Sequence, residues 1–446
     1  MSVSYLTQAE LSNDLNANGN IDSSVVNAVI NQLKLDGIYN NNPNDTTKRA
    51  WTEEGPYTAP TSGAIQVQDI TSGGTSYVNT DPALKAIVVQ TPSPVQIYVT
   101  DDGTHHSNVF VGLGTGGDSV NLYDGGNDTV QGGSSGDVIG GGAGNSLLMG
   151  GGGDDTIFGG SGNDHLIGGE GNNYLRVGSG HQLAEGGGSG NNTIVDLGDS
   201  GFSTLVAGTG NDTIYGYGGD TIMGGNSAGG SGHSELHGGI NSYIESDSNA
   251  SNYNLLGSGS TDASNANKLQ GGAGADSLYG GVGHDTLIAG SGDQLLAAGL
   301  GLHQSLVGGS GNDLLQDLYS GGTDTLVAGA SGNDTLVGMQ GDVFDAGAAA
   351  GNTTFWVNGG GSGNSTLTGG SGDDTFHIET HNGNDTIYGG GGTNIAGFGD
   401  RSFSDVQSIT GGSGNYVLTF NDGQQITTHG VQELVFANDR TTIPLP

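Results

Sequence analysis

The sequence predicts an all-β solenoid of short parallel strands, and three observations predict it. Residues 132–180 read GGSSGDVIG, GGAGNSLLM, GGGGDDTIF, GGSGNDHLI, GGEGNNYLR, VGSG, five nine-residue units without an insertion and the start of a sixth. Each unit opens on a glycine pair, carries a polar residue sixth (Asp137, Ser146, Asp155, Asp164, Asn173) and an apolar residue eighth (Ile139, Leu148, Ile157, Leu166, Leu175). Glycine makes up 92 of 446 residues, without a collagen triplet. A fixed period of this kind decides the fold, because one unit buries almost nothing alone and is stable only when stacked on copies of itself.

Each half of the unit has its own physics. The glycines allow turns that most residues resist. The last three residues are too few for a free strand, but they form a parallel ladder when stacked, with the eighth side chain pointing inward. In the turns, aspartate and backbone carbonyls offer closely spaced hard oxygen ligands of the kind calcium takes.

The pattern resembles the RTX, or hemolysin-type, calcium-binding repeat. The resemblance implies a right-handed parallel β-roll/β-helix with two units per coil, and Ca2+ between turns on one edge. It also implies secretion through a type I channel with an uncleaved C-terminal signal, the repeats staying unfolded at low cytosolic calcium and folding outside.

Composition agrees. Net charge is −38, because Lys and Arg total 8 against 46 acidic residues. Such a surface repels nucleic acid and anionic membranes and attracts divalent cations, and its carboxylates oppose compaction when no cation is bound. There is no cysteine, hence no disulfide and no thiolate metal site. Residues 1–19 are polar rather than signal-peptide-like, and no apolar run approaches the ~20 residues of a membrane helix.

Four regions follow. Residues 1–50 form a short helical segment, with helices over 6–15 and 23–35, the second carrying Val26, Val29, Ile30 and Leu33 on one face. Between them, DLNANGNIDSSV (14–25) resembles an EF-hand loop, with Asp14, Asn16, Asn18 and Asp22 at ligand places and Gly19 at the turn. Its twelfth place is Val25 rather than an acid, and the alternative is a capped turn with Asp22 or Ser23 as N-cap. Residues 51–117 are a β-rich cap and assembly region: loops at 40–44 and 58–63, then strands at 64–70, 86–89 and 95–99 that begin the solenoid. Residues 118–399 are the solenoid itself. Looser copies start at Ala207, Gly271, Gly280, Gly308, Gly329 and Gly369, and the polar stretch 240–270 reads as a bulged loop. The segment starting at Gly188 (GSGNNTIVDLGDSGFSTLVAG) is echoed from Gly309 (GSGNDLLQDLYSGGTDTLVAG), which suggests duplication of a larger block. Roughly fifteen coils at ~4.8 Å each give a rod ~70 Å long. Residues 400–446 are a C-terminal cap and secretion region, with a hairpin turn at Asn421-Asp422-Gly423.

The candidate metal ligands are Asp128, Asp137, Asp155, Asp164, Asp212, Asp276, Asp285, Asp313, Asp324, Asp334, Asp342, Asp374 and Asp385. With ligands recurring every eighteen residues, Asp137 meets Asp155 and Asp324 meets Asp342. Elsewhere the partner is neutral: Asp155 meets Asn173, Asp164 meets Ser146, Asp276 meets Gln294 and Asp285 meets His303. Calcium then fills only part of the turns, and Asn and Ser ladders stitch the others.

No catalytic constellation emerges. HSELH (233–237) lacks the acid placement of a zinc helix. GGSSG around Ser134 and GNSAG around Ser227 lack the strand-elbow-helix setting of a nucleophile. Trp51 and Trp356 read as packing residues rather than sugar platforms. The expectation is a secreted, non-enzymatic, calcium-dependent structural protein at a bacterial cell surface. It self-associates into a surface layer, filament or matrix, with the N-terminal helices and β-rich segment as contact surface. Its partners are copies of itself, cell-surface polysaccharide and, during export, type I secretion machinery, with no nucleic acid and no membrane insertion. The alternatives are an RTX adhesin or carbohydrate-binding module, and a β-helix polysaccharide-modifying enzyme.

Overall fold

The computed structural model describes residues 6–17, 19–35, 38–39, 50–54, 65–80, 82–198, 202–225, 232–247, 255–257, 266–319, 322–360, 363–380 and 382–446. The loops expected at 40–44 and 58–63, and the GNSAG string, lie outside these. The chain divides into two compact units, Met1–Asp220 and Thr221–Pro446. Both are β-solenoids in which strands two apart in sequence pair in parallel, so that each coil adds one short strand to each of two sheets.

In the first unit, one sheet runs from Ala50–Glu54 through Ile65–Ile70, Leu84–Val89 and Phe110–Gly112 to the repeat strands Leu147–Gly151, His165–Gly169 and Leu183–Gly187. The other begins at Gly74–Asn79 and Val95–Thr100 and includes Val138–Gly140, Thr156–Phe158 and Tyr174–Arg176. Eighth-place residues stack in register: Leu148 on Leu166, Ile139 on Ile157 and Ile157 on Leu175, all fully buried.

The helices are α1 (Gln8–Asn16) and α2 (Ser23–Leu35). A capping box starts α1: the Glu10 N–H donates to Thr7 Oγ1 at 3.2 Å, and the Thr7 N–H to Glu10 Oε2 at 2.8 Å. Leu11, Leu15, Val25, Val26, Val29 and Leu33 pack against Val67, Ala86, Val88 and Phe110 of the first strands. Gly112 permits this approach, since a Cβ there would sit 2.6 Å from Val25 Cγ1. In the loop between the helices Asn18 lies outside the described residues. Asn16 Nδ2 donates to the Ser12 carbonyl, Asn20 Nδ2 to the Gln90 carbonyl, and the Thr115 N–H to the Asn20 carbonyl. Val25, the twelfth place of the EF-hand-like pattern, is a core residue with no ligand atom.

In the second unit, one sheet runs from Thr221–Met223 through Tyr243–Glu245, Lys268–Gln270 and Thr325–Val327 to Asp385–Tyr388. The other runs from Glu235–His237 through Leu255–Gly257 and Thr335–Met339 to Ile395–Phe398. The stretch 240–270, expected to be a bulged loop, instead supplies three solenoid strands, and Ile244, Leu256 and Leu269 take inward places with 0 % exposure. One inward side chain per strand suffices for a coil, so a polar run can hold a strand. The chain ends in antiparallel additions: Val406–Gly412, Asn415–Phe420 and Gln425–His429 on one sheet, and Thr441–Pro444 beside Glu433–Phe436 on the other. The hairpin turn at 421–423 lies where expected, with Gly423 at φ 95°. Arg401, buried, donates to Asp422 at 2.8 Å and to Gln424, and lies 4.0 Å over the Phe420 ring.

Toward this end the interior changes from aliphatic to aromatic. Phe355 stacks on Phe376 with ring centroids 4.6 Å apart, and meets Phe344 edge-on at 6.4 Å. Phe355→Ala is expected to cost about 3–5 kcal/mol, read as a lower denaturant midpoint of the calcium-loaded chain. An unchanged midpoint would show that the neighbouring coils collapse into the space.

Candidate metal centres in the turns

The sixth-place aspartates are built into the coils by two sets of backbone donors. All thirteen candidates are no more than 3 % exposed. One carboxylate oxygen accepts the N–H of the sixth-place residue one coil earlier. Asp137 takes that of Asp118 at 2.7 Å, Asp155 that of Asp137 at 2.7 Å, Asp164 that of Ser146 at 2.7 Å, and Asp212 that of Asn192 at 2.6 Å. In the second unit Asp285 pairs so with Asn267, Asp313 with Gln294, Asp324 with Gln304, Asp334 with Asp313, Asp342 with Asp324, Asp374 with Thr353 and Asp385 with Ser365. Asp128 accepts from Val109 at 2.8 Å. The other oxygen often takes the N–H of a glycine four residues back, as Gly133 does for Asp137, Gly272 for Asp276, Gly281 for Asp285 and Gly370 for Asp374.

A second, exposed ladder runs through the fifth places. The Asn145 N–H donates to Asn127 Oδ1, and that of Asn163 to Asn145 Oδ1. In the other unit Asn333 donates to Asn312, and Asn352 to Asn333. In the sixth-place column itself Asn and Ser take the same role where aspartate is missing: the Asp155 N–H donates to Asn173 Oδ1, the Asn173 N–H to Asn192 Oδ1, and the Asp128 N–H to Ser146 Oγ.

The turns fit a hard dication. Oδ2 of Asp128, Asp155 and Asp212 is buried and meets no hydrogen-bond donor. A Cβ on Gly150 would run into both Asp155 Oδ2 and the Gly168 carbonyl oxygen, so carboxylate and carbonyl oxygens line one small space kept clear by the missing side chain. Burial pushes the carboxyls well above the ordinary aspartate range: to about 7 for Asp137, Asp155 and Asp342, and to about 6 for Asp164, Asp324 and Asp385. Asp212, Asp313, Asp334 and Asp374 rise for the same reason. Among the described residues no three His, Asp or Glu side chains converge, so each turn depends on backbone oxygens for the rest of a ligand set.

The pairings set by an eighteen-residue period are found for Asp137–Asp155, Asp155–Asn173, Ser146–Asp164, Asp276–Gln294 and Asp324–Asp342. Asp285 is the exception. Its coil is nineteen residues long, Leu287 lies beside Leu306, and the place above Asp285 falls to Gln304 rather than His303. Longer coils also create an acidic pair that a fixed period does not reveal, Asp313 with Asp334.

Sequence reasoning missed Asp118 and Asp220. Both are buried sixth-place residues, accepting from Val95 and Gly114 and from Ser203 and Tyr217. The glycine four residues before Asp118 was the available signal. Asp317 was missed as well: it is buried off the sixth place and its charge lies against Asp342.

Glu235 and His237 share the outer face of one strand, with His237 Nε2 3.7 Å from Glu235 Oε2 and Leu236 buried between them, and among the described residues no third ligating side chain joins them. Trp356 stands half-exposed on a strand, its ring 3.9 Å from that of His377.

Fold and turns together define a calcium-binding β-solenoid. A family model described as RTX calcium-binding nonapeptide repeat (4 copies) matches residues 124–148, 149–181, 197–229, 263–293, 319–342 and 360–377. The chain belongs to the RTX calcium-binding repeat proteins, and Ca2+ is the ion its repeats bind. No curated protein matches it.

Proposed function

We propose that this RTX protein is an extracellular structural subunit that folds on meeting calcium outside the cell and then associates with copies of itself. The observation that carries the reading is how the polar side chains are used. The buried carboxylates line the turns column by column and serve the stacking of coils, and in the described residues no separate domain stands beside the solenoids. The proposed role is non-catalytic. No helix among the described residues is long and apolar enough to cross a membrane. Edge strands favour association: among the described residues Val406–Gly412 pairs with Asn415–Phe420 alone and is largely exposed, leaving backbone groups for another chain.

The test is negative-stain electron microscopy of chelator-unfolded protein refolded with and without millimolar calcium. Sheets or fibres formed only with calcium are expected, and single particles at every protein concentration would overturn self-assembly. One observation favours a carbohydrate-binding role instead. Tyr77, Tyr98 and Tyr123 stack in a column at 5.0 and 6.2 Å, with Tyr77 and Tyr123 largely exposed. Saturable binding on a glycan array without ordered assembly would decide for it.

A further inference from the structure

In the Met1–Asp220 solenoid one sheet turns an aromatic face to solvent. Strands alternate their side chains, so the residues flanking the buried column Ile97, Val120, Ile139 and Ile157 point outward. On the sheet that starts at Gly74–Asn79, these outward places hold Tyr77, Tyr98, Phe158, Tyr174 and Tyr215, and Tyr123 follows the strand Ser119–Leu122. All but Tyr98 are exposed. The other outward places are Thr, Ser, Asn, Gln, Val and Gly, apart from Arg176, and none is acidic, in a chain with 46 acidic residues. Helices α1 and α2 cover the first strands of the other sheet, whereas among the described residues no element covers this face.

The ladder sets one row of these residues across eight strands. Tyr77 lies beside Tyr98, Tyr98 beside Asn121, and Asn121 beside Gly140. The row continues through Phe158, Arg176 and Val195 to Tyr215. Turned end for end, this row complements itself. The bare Gly140 meets the Phe158 ring, Tyr98 meets Val195, and Tyr77 meets Tyr215. Arg176, the one charge in the row, meets the Asn121 amide. With both rows running the same way, Arg176 would instead face Arg176 and Phe158 would face Phe158. The reversed order is therefore the favoured one, and a two-fold axis produces it.

The absence of carboxylates matters because copies of a chain with net charge −38 repel each other wherever acidic surfaces meet. A sugar ring would need an open aromatic face, and Tyr98 has both of its faces taken, by Tyr77 at 5.0 Å and by Tyr123 at 6.2 Å. Resting on the self-associating reading above, we propose that this face packs against the same face of a second copy, about a two-fold axis lying along the strands. Eight strands at about 4.8 Å and two or three outward places per strand make a face about 34 Å by 10 Å. That is roughly 350 Å2 per copy, under half of the about 800 Å2 in a standard interface, so a single contact is weak and fills as concentration rises.

The test is sedimentation velocity of the calcium-loaded full chain over rising protein concentration, comparing wild type with Phe158→Glu and Met149→Glu. Met149 stands half-buried on the outer face of the other sheet, so its variant adds the same charge elsewhere. Phe158→Glu is expected to keep the β signal in circular dichroism and to raise the concentration needed for association about tenfold or more. Met149→Glu is expected to leave that concentration unchanged. Should Phe158→Glu fail to fold, Val195→Glu sets a carboxylate against the copy's Tyr98 from a half-buried place and is expected to act alike. Association as strong in folded Phe158→Glu as in wild type, or equal weakening by Met149→Glu, overturns this face as the contact and leaves self-association standing. A wild type that stays single at every concentration overturns self-association and the proposal with it. Saturable glycan binding by that single chain, lost in Phe158→Glu, would assign the face to a sugar polymer.

Discussion

Stripped of calcium at about pH 8, the chain is expected to lose most of its β signal. It should recover that signal by either of two routes, addition of calcium or acidification to about pH 5. The argument rests on the buried aspartates. In the unfolded chain they titrate near the ordinary aspartate value of 3.8, and in the folded solenoid burial raises Asp137, Asp155 and Asp342 to about 7. A carboxyl raised on folding favours the native state where it can hold its proton, and opposes it progressively as pH climbs from the unfolded value through the folded one. Each tenfold change in proton affinity is worth about 1.4 kcal/mol. Three such groups, taken independently, therefore cost up to about 13 kcal/mol at pH 8, comparable with the about 5–15 kcal/mol that holds a domain together. A bound dication supplies the missing charge and removes the cost, and protonation removes it without metal. The midpoint of acid recovery in chelator is expected near pH 6–7, where these groups titrate, and calcium should abolish the dependence. A chelated chain that keeps its full β signal at pH 8 would show that the backbone donors to the carboxylates already compensate their burial.

That the aspartates recur at one place of successive turns was legible, because a strict nine-residue spacing fixes which place of the unit each residue occupies; their near-complete burial was not. Ile139, Leu148, Ile157, Leu166 and Leu175 were assigned inward by the same logic, and all are fully buried. The logic weakens where coil length varies. Leu148 to Leu166 spans eighteen residues, but Leu287 to Leu306 spans nineteen and Leu315 to Leu336 twenty-one, so a partner counted at fixed distance slips, as it did for Asp285. The strands at Ile244, Leu256 and Leu269 were invisible for another reason. A three-residue strand with one inward side chain carries no periodic signal of its own and is held by the coils on either side. Asp124 and Asp317 are harder still. Nothing local says that their carboxyls turn inward; Asp124 meets Asp128 within one turn, and the register of neighbouring coils sets Asp317 against Asp342.

Gly169→Ala should damage the first unit far more than Gly152→Ala, although both glycines belong to the same regular block of repeats. Gly169 closes the strand His165–Gly169 at φ 95°, a conformation that costs an L residue about 1–2 kcal/mol. Its Cβ would also strike the carbonyl oxygen of Gly151, which is backbone and cannot rotate away. Coils stacked at about 4.8 Å leave no room for both atoms, so two turns must separate or the ladder must break. The combined loss is expected to reach about 3 kcal/mol or more, seen as a lower thermal midpoint in calcium and as weaker calcium binding, because the same turns carry the ligand oxygens. At Gly152 no positive φ is required, and the nearest atom to an added Cβ is Ser134 Cα at 3.6 Å, an ordinary contact. Alanine there is expected to change the midpoint little and to leave calcium binding intact. The pair separates two reasons for a glycine-rich repeat, backbone flexibility and close approach of coils. Equal damage at both positions would mean that flexibility alone matters, whereas damage confined to Gly169 would mean that the glycines exist to let one turn rest on the next.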